Sequence, residues 1–206
     1  MDYWTKIDTS CPIDQAYSEN NDIQIRIAGR GGQGIRKLGL VLAEACTLEG
    51  KTVVQTQNYT PEVRGGSSKA DIILSHKEEI DYPLIRKIDI FLSLGQQDRS
   101  KNFSMLANHA IVICDSGLVE PPNSNCRHIG FPFEITAKKE FSDKIFANMI
   151  LLGTFVAVTG IVRSETVASV IKKRIKKYKD KNLNAFSRGI EIGNAKLHKT
   201  LTFPAN

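Results

Sequence analysis

The chain has 206 residues, 41% of them hydrophobic, enough to bury the core of one domain, and it carries a formal charge of +6 that is unevenly held. From Arg163 to Lys199 there are 11 Lys or Arg against 3 Asp or Glu, which leaves the rest at about −2, so the basicity belongs to the C-terminal helices. Cys11, Cys46, Cys114 and Cys126 stand far apart, with no Cys-x-x-Cys pair and no histidine at zinc spacing; no cluster or zinc site follows from them, and free thiols in a reducing compartment do.

Residues 1–21 mix Asp, Ser, Asn and Pro with Trp4 and Tyr17, show no period and read as an N-terminal extension without a secretory leader, which implies a cytoplasmic location. The alternation Ile23, Ile25, Ile27 predicts a strand near 23–28. A glycine turn follows, then a helix near 33–49 ending at Gly50 and a strand near 52–57, together a βαβ unit. Further short strands are expected at Asp71–Ser75, Ile88–Leu94 and Ala110–Cys114, joined by crossovers, with Tyr82-Pro83 marking a helix start. Past Pro121-Pro122 the pattern turns helical: Ser142 caps a helix from about Asp143 to Gly160, Ser164 caps another to about Tyr178, and a last helix runs from about Asn184 to Leu197. The apolar stretch Ile145–Val162 approaches the ~20-residue spanning length but holds Asn148, two threonines and two glycines, so it reads as a helix buried in a core or between subunits, with no membrane span. The fold class expected is α/β: a Rossmann-like, doubly wound, mainly parallel sheet with C-terminal helices.

Val167, Val170, Ile171, Arg174, Ile175 and Tyr178 share helical spacing, which turns Lys172, Lys173, Lys176 and Lys177 away from the core. That face suits an acidic partner or a solvated surface; without interleaved aromatics it is not read as a nucleic-acid site. His76, His109, His128 and His198 are isolated and receive no catalytic role.

Gly29-Arg30-Gly31-Gly32-Gln33-Gly34 satisfies Gly-x-Gly-x-x-Gly between a strand and a helix, where the backbone can take positive φ and offer N–H groups to an anion at the positive end of the helix dipole. The dinucleotide fingerprint also needs an acidic residue closing the second strand. Here that strand reads Val53-Val54-Gln55-Thr56-Gln57-Asn58, so a free-standing NAD-dependent dehydrogenase is the weaker reading. The glycines then serve either close helix–strand packing or contact with phosphate or pyrophosphate. A second glycine loop, Tyr59-Thr60-Pro61-Glu62-Val63-Arg64-Gly65-Gly66-Ser67, leaves the second strand on the same carboxyl edge, as a surface loop or as one that presents Tyr59 and Arg64 to a ligand or partner.

The two loops together resemble the gamma subunit, or gamma domain, of the 2-oxoacid:ferredoxin oxidoreductases. Asn148-Met149, Leu152-Gly153, Asn184-Ala185-Phe186 and Gly189 look like that family's later pattern, and Thr60 departs from it. Ser68-Lys69-Ala70-Asp71-Ile72 with Glu79-Ile80-Asp81-Tyr82-Pro83 is most similar to the 2-oxoglutarate branch, with the pyruvate and branched-chain 2-oxoacid enzymes as alternatives. The resemblance implies a gamma domain over 22–200 with a tail at 201–206. It implies a non-catalytic subunit of an enzyme that decarboxylates a 2-oxoacid on thiamine diphosphate, passes the acyl group to coenzyme A and sends electrons through iron–sulfur clusters to ferredoxin. Thiamine diphosphate, magnesium and the clusters are then expected on partner subunits, the thiamine-binding and ferredoxin-like chains. Gly29, Gly31, Gly32, Gln33 and Gly34 are expected to contact coenzyme A, and Tyr59, Pro61, Glu62, Arg64, Gly65 and Gly66 to form an interface or ligand loop.

Overall fold

The computed structural model describes residues 22–59, 66–75, 77, 79–97, 99–120 and 126–201. The N-terminal extension and most of the second loop, including Pro61, Glu62, Arg64 and Gly65, lie outside the described residues.

Strand β1 (Ile23–Arg30) leads through the glycine turn into α1 (Ile35–Leu48), and β2 (Thr52–Tyr59) follows. β3 (Ser67–Ser75) and β4 (Ile88–Ser93) come next, then a short helix α2 (Arg99–Phe103), β5 (Leu106–Asp115) and β6 (Arg127–Phe131). The remainder is helical: α3 (Phe133–Phe141), one 3₁₀ turn (Lys144–Phe146), α4 (Ala147–Thr159), α5 (Ser164–Arg174) and α6 (Lys179–Leu201). The six strands form one sheet in the order β2-β3-β1-β4-β5-β6. β1, β4, β5 and β6 pair in parallel, whereas β3 runs antiparallel to both neighbours and so returns β2 to the direction of β1. The α/β class and the mainly parallel sheet are therefore as expected. The insertion of β3 by a hairpin rather than a crossover is not.

Alternation along the strands divides the interior. Ile25, Ile27, Ile72, Ile90, Leu92, Ile111 and Ile113 face a large core shared with α1 and with α3 to α6. Ala28, Ile73, Phe91, Val112 and Cys114 face a smaller one, closed by Phe103, Met105 and the loops around Ile85 and Val119. α4 is buried on every side, so the apolar stretch is a core helix, as expected. It crosses α6 with almost no space between the backbones: a β-carbon on Gly153 would strike the Phe186 carbonyl, and one on Gly189 the Ile150 carbonyl. Thr154 Oγ1 donates to the Gly189 carbonyl across the same contact, at 3.1 Å.

Several local expectations are corrected. No helix starts at Tyr82-Pro83; Tyr82 and Leu84 are exposed and the segment is tied to β1 instead, with Gln24 Oε1 accepting from Arg86 N and Lys87 N. β6, α2 and α3 were not anticipated, because each is short. Ser142 ends α3 at φ 69° and caps nothing that follows; Asp143 does, its carboxylate accepting from Ile145 N. Ser164 gives its hydroxyl to Glu165, and α5 stops at Arg174, not Tyr178. α6 begins at Lys179, five residues before the expected start. Cys46 and Cys114 are free, buried thiols, as read from the sequence, and burial pushes both up to about 12.

Inside the smaller core, Arg26 of β1 meets its register partner Asp71 of β3 in a two-pronged ion pair, 2.7 Å on each prong, with Arg26 Nη1 also donating to Asn102 Oδ1. Removing one partner strands the other charge away from water. Asp71→Ala is expected to lower unfolding free energy by about 3–5 kcal/mol in urea titration, and the paired change Arg26→Met with Asp71→Leu to recover most of it; a loss near zero for the single change would contradict the assignment.

Candidate functional site

The glycine turn sits where the sheet changes direction: the chain leaves β1 toward β2 on one side and returns to β4 on the other, so a crevice opens beyond the ends of β1 and β4. The side chain of Gln33 fills that crevice. Its Oε1 accepts from Arg30 N at 2.5 Å, and its Nε2 donates to the Leu94 carbonyl at 2.8 Å and to Glu134 Oε1 at 2.7 Å. The end of β1, the end of β4 and the start of α3 are thereby joined through one amide. Glu134 also faces Arg30 Nη2 at 3.8 Å, and its own N–H donates to Asp115 Oδ2 at 2.7 Å. Burial raises the Asp115 carboxyl above its ordinary range, partly offset by the N–H groups it accepts from.

With the crevice filled, the turn opens on its other side. Gly31 N donates to the Gly66 carbonyl at 2.9 Å and Gln33 N to the Arg30 carbonyl at 3.2 Å, so these two expected donors are already engaged. Gly29 lies within the β1–β3 pairing opposite Ser68. Gly32 and Gly34 stand at φ 93° and 75°, a region that disfavours side chains. No described residue accepts from the N–H groups of Gly32, Gly34, Ile35, Arg36 or Lys37, and no side chain caps α1. A β-carbon on Gly32 would meet nothing within 4 Å. One on Gly34 would strike Asn148 Nδ2, which donates to the Gln33 carbonyl at 3.1 Å. Asn148 is 7% exposed and its Oδ1 is buried with no partner among the described residues.

These groups border a cleft of about 760 Å³. It is lined by the turn and the first turns of α1, by Ser68 and Asn148, and by the corner between α5 and α6 from Arg174 to Tyr178. Lys172, Lys173, Lys176 and Lys177 are all exposed, as expected of a face turned away from the core. Lys173 and Arg174 fold back onto Glu44 of α1, while Lys176 and Lys177 line the cleft opposite Arg36 and Lys37. Lys37 and Lys176 carry no ion pair among the described residues, and Arg36 Nε donates to Gln57 Oε1 at the end of β2, where a dinucleotide site would place its acid. Chemically the arrangement suits an oxygen anion: backbone donors unpaired among the described residues, a helix dipole and a cationic rim, with no carboxylate among the described residues of the cleft lining.

The second loop joins the site through Gly66, whose carbonyl receives the turn, and Ser68; Tyr59 closes β2 opposite Ser68. Sequence order hid Glu134, which lies 101 positions from Gln33, and helical spacing set Tyr178 on the core side with Val167, Val170 and Ile171, whereas the helix ends at Arg174 and Tyr178 is exposed. His128 accepts or donates across 3.0 Å to Cys114 Sγ at the far edge of the sheet and takes no part here. Among the described residues no group of three or more His, Cys, Asp or Glu is placed to hold a metal, and no helix is long and apolar enough to cross a membrane.

Known proteins share the sequence pattern and the fold. The family model described as pyruvate ferredoxin/flavodoxin oxidoreductase matches residues 24–192. 2-Oxoglutarate synthase subunit KorC of Archaeoglobus fulgidus is 48% identical over 172 residues, 84% of this chain and 88% of that protein. The keto/oxoacid ferredoxin oxidoreductase gamma subunit of Geobacter sulfurreducens superposes with a TM-score of 0.73 at 34% identity, over 84% of this chain and 99% of that one. A 2-oxoglutarate:ferredoxin oxidoreductase of Magnetococcus marinus, solved with 2-oxoglutarate, coenzyme A and succinyl-CoA bound, shares the fold, with a TM-score of 0.76 at 24% identity over 85% of this chain and 32% of that one.

Because Gln33 holds the turn through Glu134, Glu134→Ala is expected to cost about 1–3 kcal/mol and to lower Tm by several degrees, whereas Glu134→Gln, which keeps an acceptor oxygen, retains most of that stability. Equal melting of both variants and the parent would contradict the strut.

Proposed function

Since the chain belongs to the pyruvate ferredoxin/flavodoxin oxidoreductase family, as a gamma subunit of its 2-oxoglutarate branch, we propose that it serves a 2-oxoglutarate:ferredoxin oxidoreductase by holding the phosphates of coenzyme A at the glycine turn. The assembled enzyme, in this reading, releases CO₂ from the oxoacid, transfers the acyl group to the coenzyme A thiol and passes two electrons to ferredoxin. The thiamine diphosphate, magnesium and iron–sulfur clusters belong to its partner chains, and the location is cytoplasmic, consistent with the free thiols of Cys46 and Cys114.

The single observation that carries the proposal is the set of N–H groups of Gly32, Gly34, Ile35, Arg36 and Lys37, unpaired among the described residues and bordering a cation-rimmed cleft, with the buried Oδ1 of Asn148, likewise without a partner among them, beside it. Coenzyme A fits those donors because its phosphates are acceptors only. The residues of this chain bind and orient; none is asked to move a proton. Lys176, Lys177 and Lys37 supply charge over a range set by the Debye length, about 8 Å at physiological salt, so capture weakens as salt rises. Gly66 and Ser68 keep the second loop against the turn, which is where Arg64 is proposed to reach coenzyme A or the neighbouring subunit.

Gly32→Glu places a carboxylate in the anion site without displacing a neighbour, and Gly32→Ala reports the backbone strain alone. In the assembled enzyme Gly32→Glu is expected to raise the KM for coenzyme A by about tenfold or more, well beyond Gly32→Ala, with 2-oxoglutarate turned over faster than pyruvate or branched-chain oxoacids by the parent. If Gly32→Glu leaves that KM unchanged, the subunit acts in assembly alone.

A further inference from the structure

The corner between α5 and α6 carries a feature that phosphate binding does not require. Tyr178 stands at φ 55°, left-handed backbone that a bulky aromatic residue rarely adopts, and the residue is 52% exposed. Such a conformation persists only when the surroundings over-determine it. Here Asn182 does so: its Nδ2 donates to the Tyr178 carbonyl at 2.8 Å and to the Lys177 carbonyl at 3.2 Å, and its N–H donates to the Tyr178 carbonyl at 3.0 Å. Phe146 packs against the ring in a T-shaped contact, with centroids 6.2 Å apart and planes at 74°, and Lys177 Nζ lies over one face of the ring, 5.2 Å from its centroid, which leaves the opposite face for a stacking partner. An exposed aromatic ring is thus held rigidly on the wall of the cleft that holds the glycine turn.

Resting on the coenzyme A reading above, we propose that Tyr178 is the platform for a planar base, so that the cleft recognises a nucleotide by its ring as well as by its phosphates. Three observations converge on this. The turn's N–H donors and Tyr178 border one cavity, with the cationic side chains of Lys176 and Lys177 in the same lining. Ile145 and Ile175, beside Tyr178 in that lining, offer apolar surface that a sugar phosphate alone would leave wet. The fixed backbone at Tyr178 means that little ordering remains to oppose stacking when the ligand arrives. Asn182 is then a positioning residue: by holding the Tyr178 and Lys177 carbonyls it keeps the backbone that carries the ring in place.

The test uses the assembled enzyme with Tyr178→Ala, Tyr178→Phe and Gly32→Glu, probed with coenzyme A and with two inhibitors, adenosine 3′,5′-bisphosphate, which carries the base, and 4′-phosphopantetheine, which lacks it. Tyr178→Ala is expected to raise the KM for coenzyme A and the Ki of adenosine 3′,5′-bisphosphate by roughly tenfold while leaving the Ki of 4′-phosphopantetheine within twofold, and Tyr178→Phe to keep all three near the parent. An equal loss for both inhibitors would assign Tyr178 a structural role and overturn the proposal. So would unchanged constants in Tyr178→Ala alongside a raised KM in Gly32→Glu, an outcome that leaves the phosphate reading standing. If neither substitution moves the KM for coenzyme A, both readings fall together.

Discussion

Everything at the ligand edge depends on how one side-chain amide is used. Gln33 turns inward and satisfies the N–H of Arg30, the carbonyl of Leu94 and the carboxylate of Glu134, which closes the crevice between β1 and β4 and locks the turn to three elements at once. In an open α/β sheet that crevice is where a ligand ordinarily lies. Here its inner part is occupied by the side chain of Gln33, and Gly32, Gly34 and the first turn of α1, whose N–H groups have no acceptor among the described residues, border the neighbouring cleft instead. The same glycine spacing that serves dinucleotides in other folds is thereby redirected.

The rest of the fold supplies what that displacement needs. β3, inserted antiparallel beside β1, brings Gly66 and Ser68 against the turn, and the buried Arg26–Asp71 pair ties those two strands beneath it. α4 passes under the turn and contributes Asn148, and it can do so because Gly153 and Gly189 let α6 close over its back. α6 in turn begins at the basic corner, so the close helix contact also fixes where Lys176, Lys177 and Tyr178 stand. Glu44 draws Lys173 and Arg174 onto α1 and so sets the outer limit of the cleft.

Much of this was legible in the sequence, and the parts that were not share a physical reason. The strand–turn–helix around Gly29–Gly34, the long strands and the buried helix at Ala147–Thr159 follow from periodicity and glycine chemistry, both local signals. β6, at five residues, and α3, at nine, are too short to establish a period. At the end of β2, where the sequence lacks the acid of a dinucleotide site, Gln57 meets Arg36. The pairing of Gln33 with Glu134 joins residues 101 positions apart and no composition reveals it. The lysine run illustrates a different limit: helical spacing assumed that α5 continues to Tyr178, but the chain leaves helical geometry after Arg174, and that break carries two of the lysines into the cleft.

The central claim is that the backbone donors of Gly32, Gly34 and Ile35 to Lys37 receive a phosphate. Amide hydrogen exchange on the assembled enzyme reads those groups directly, with and without saturating coenzyme A. The account expects exchange over 32–37 to slow on addition of coenzyme A, in low salt more than in high, while the buried strands β4 and β5 stay as they were. Unchanged exchange over 32–37 in enzyme that turns over with coenzyme A would contradict it.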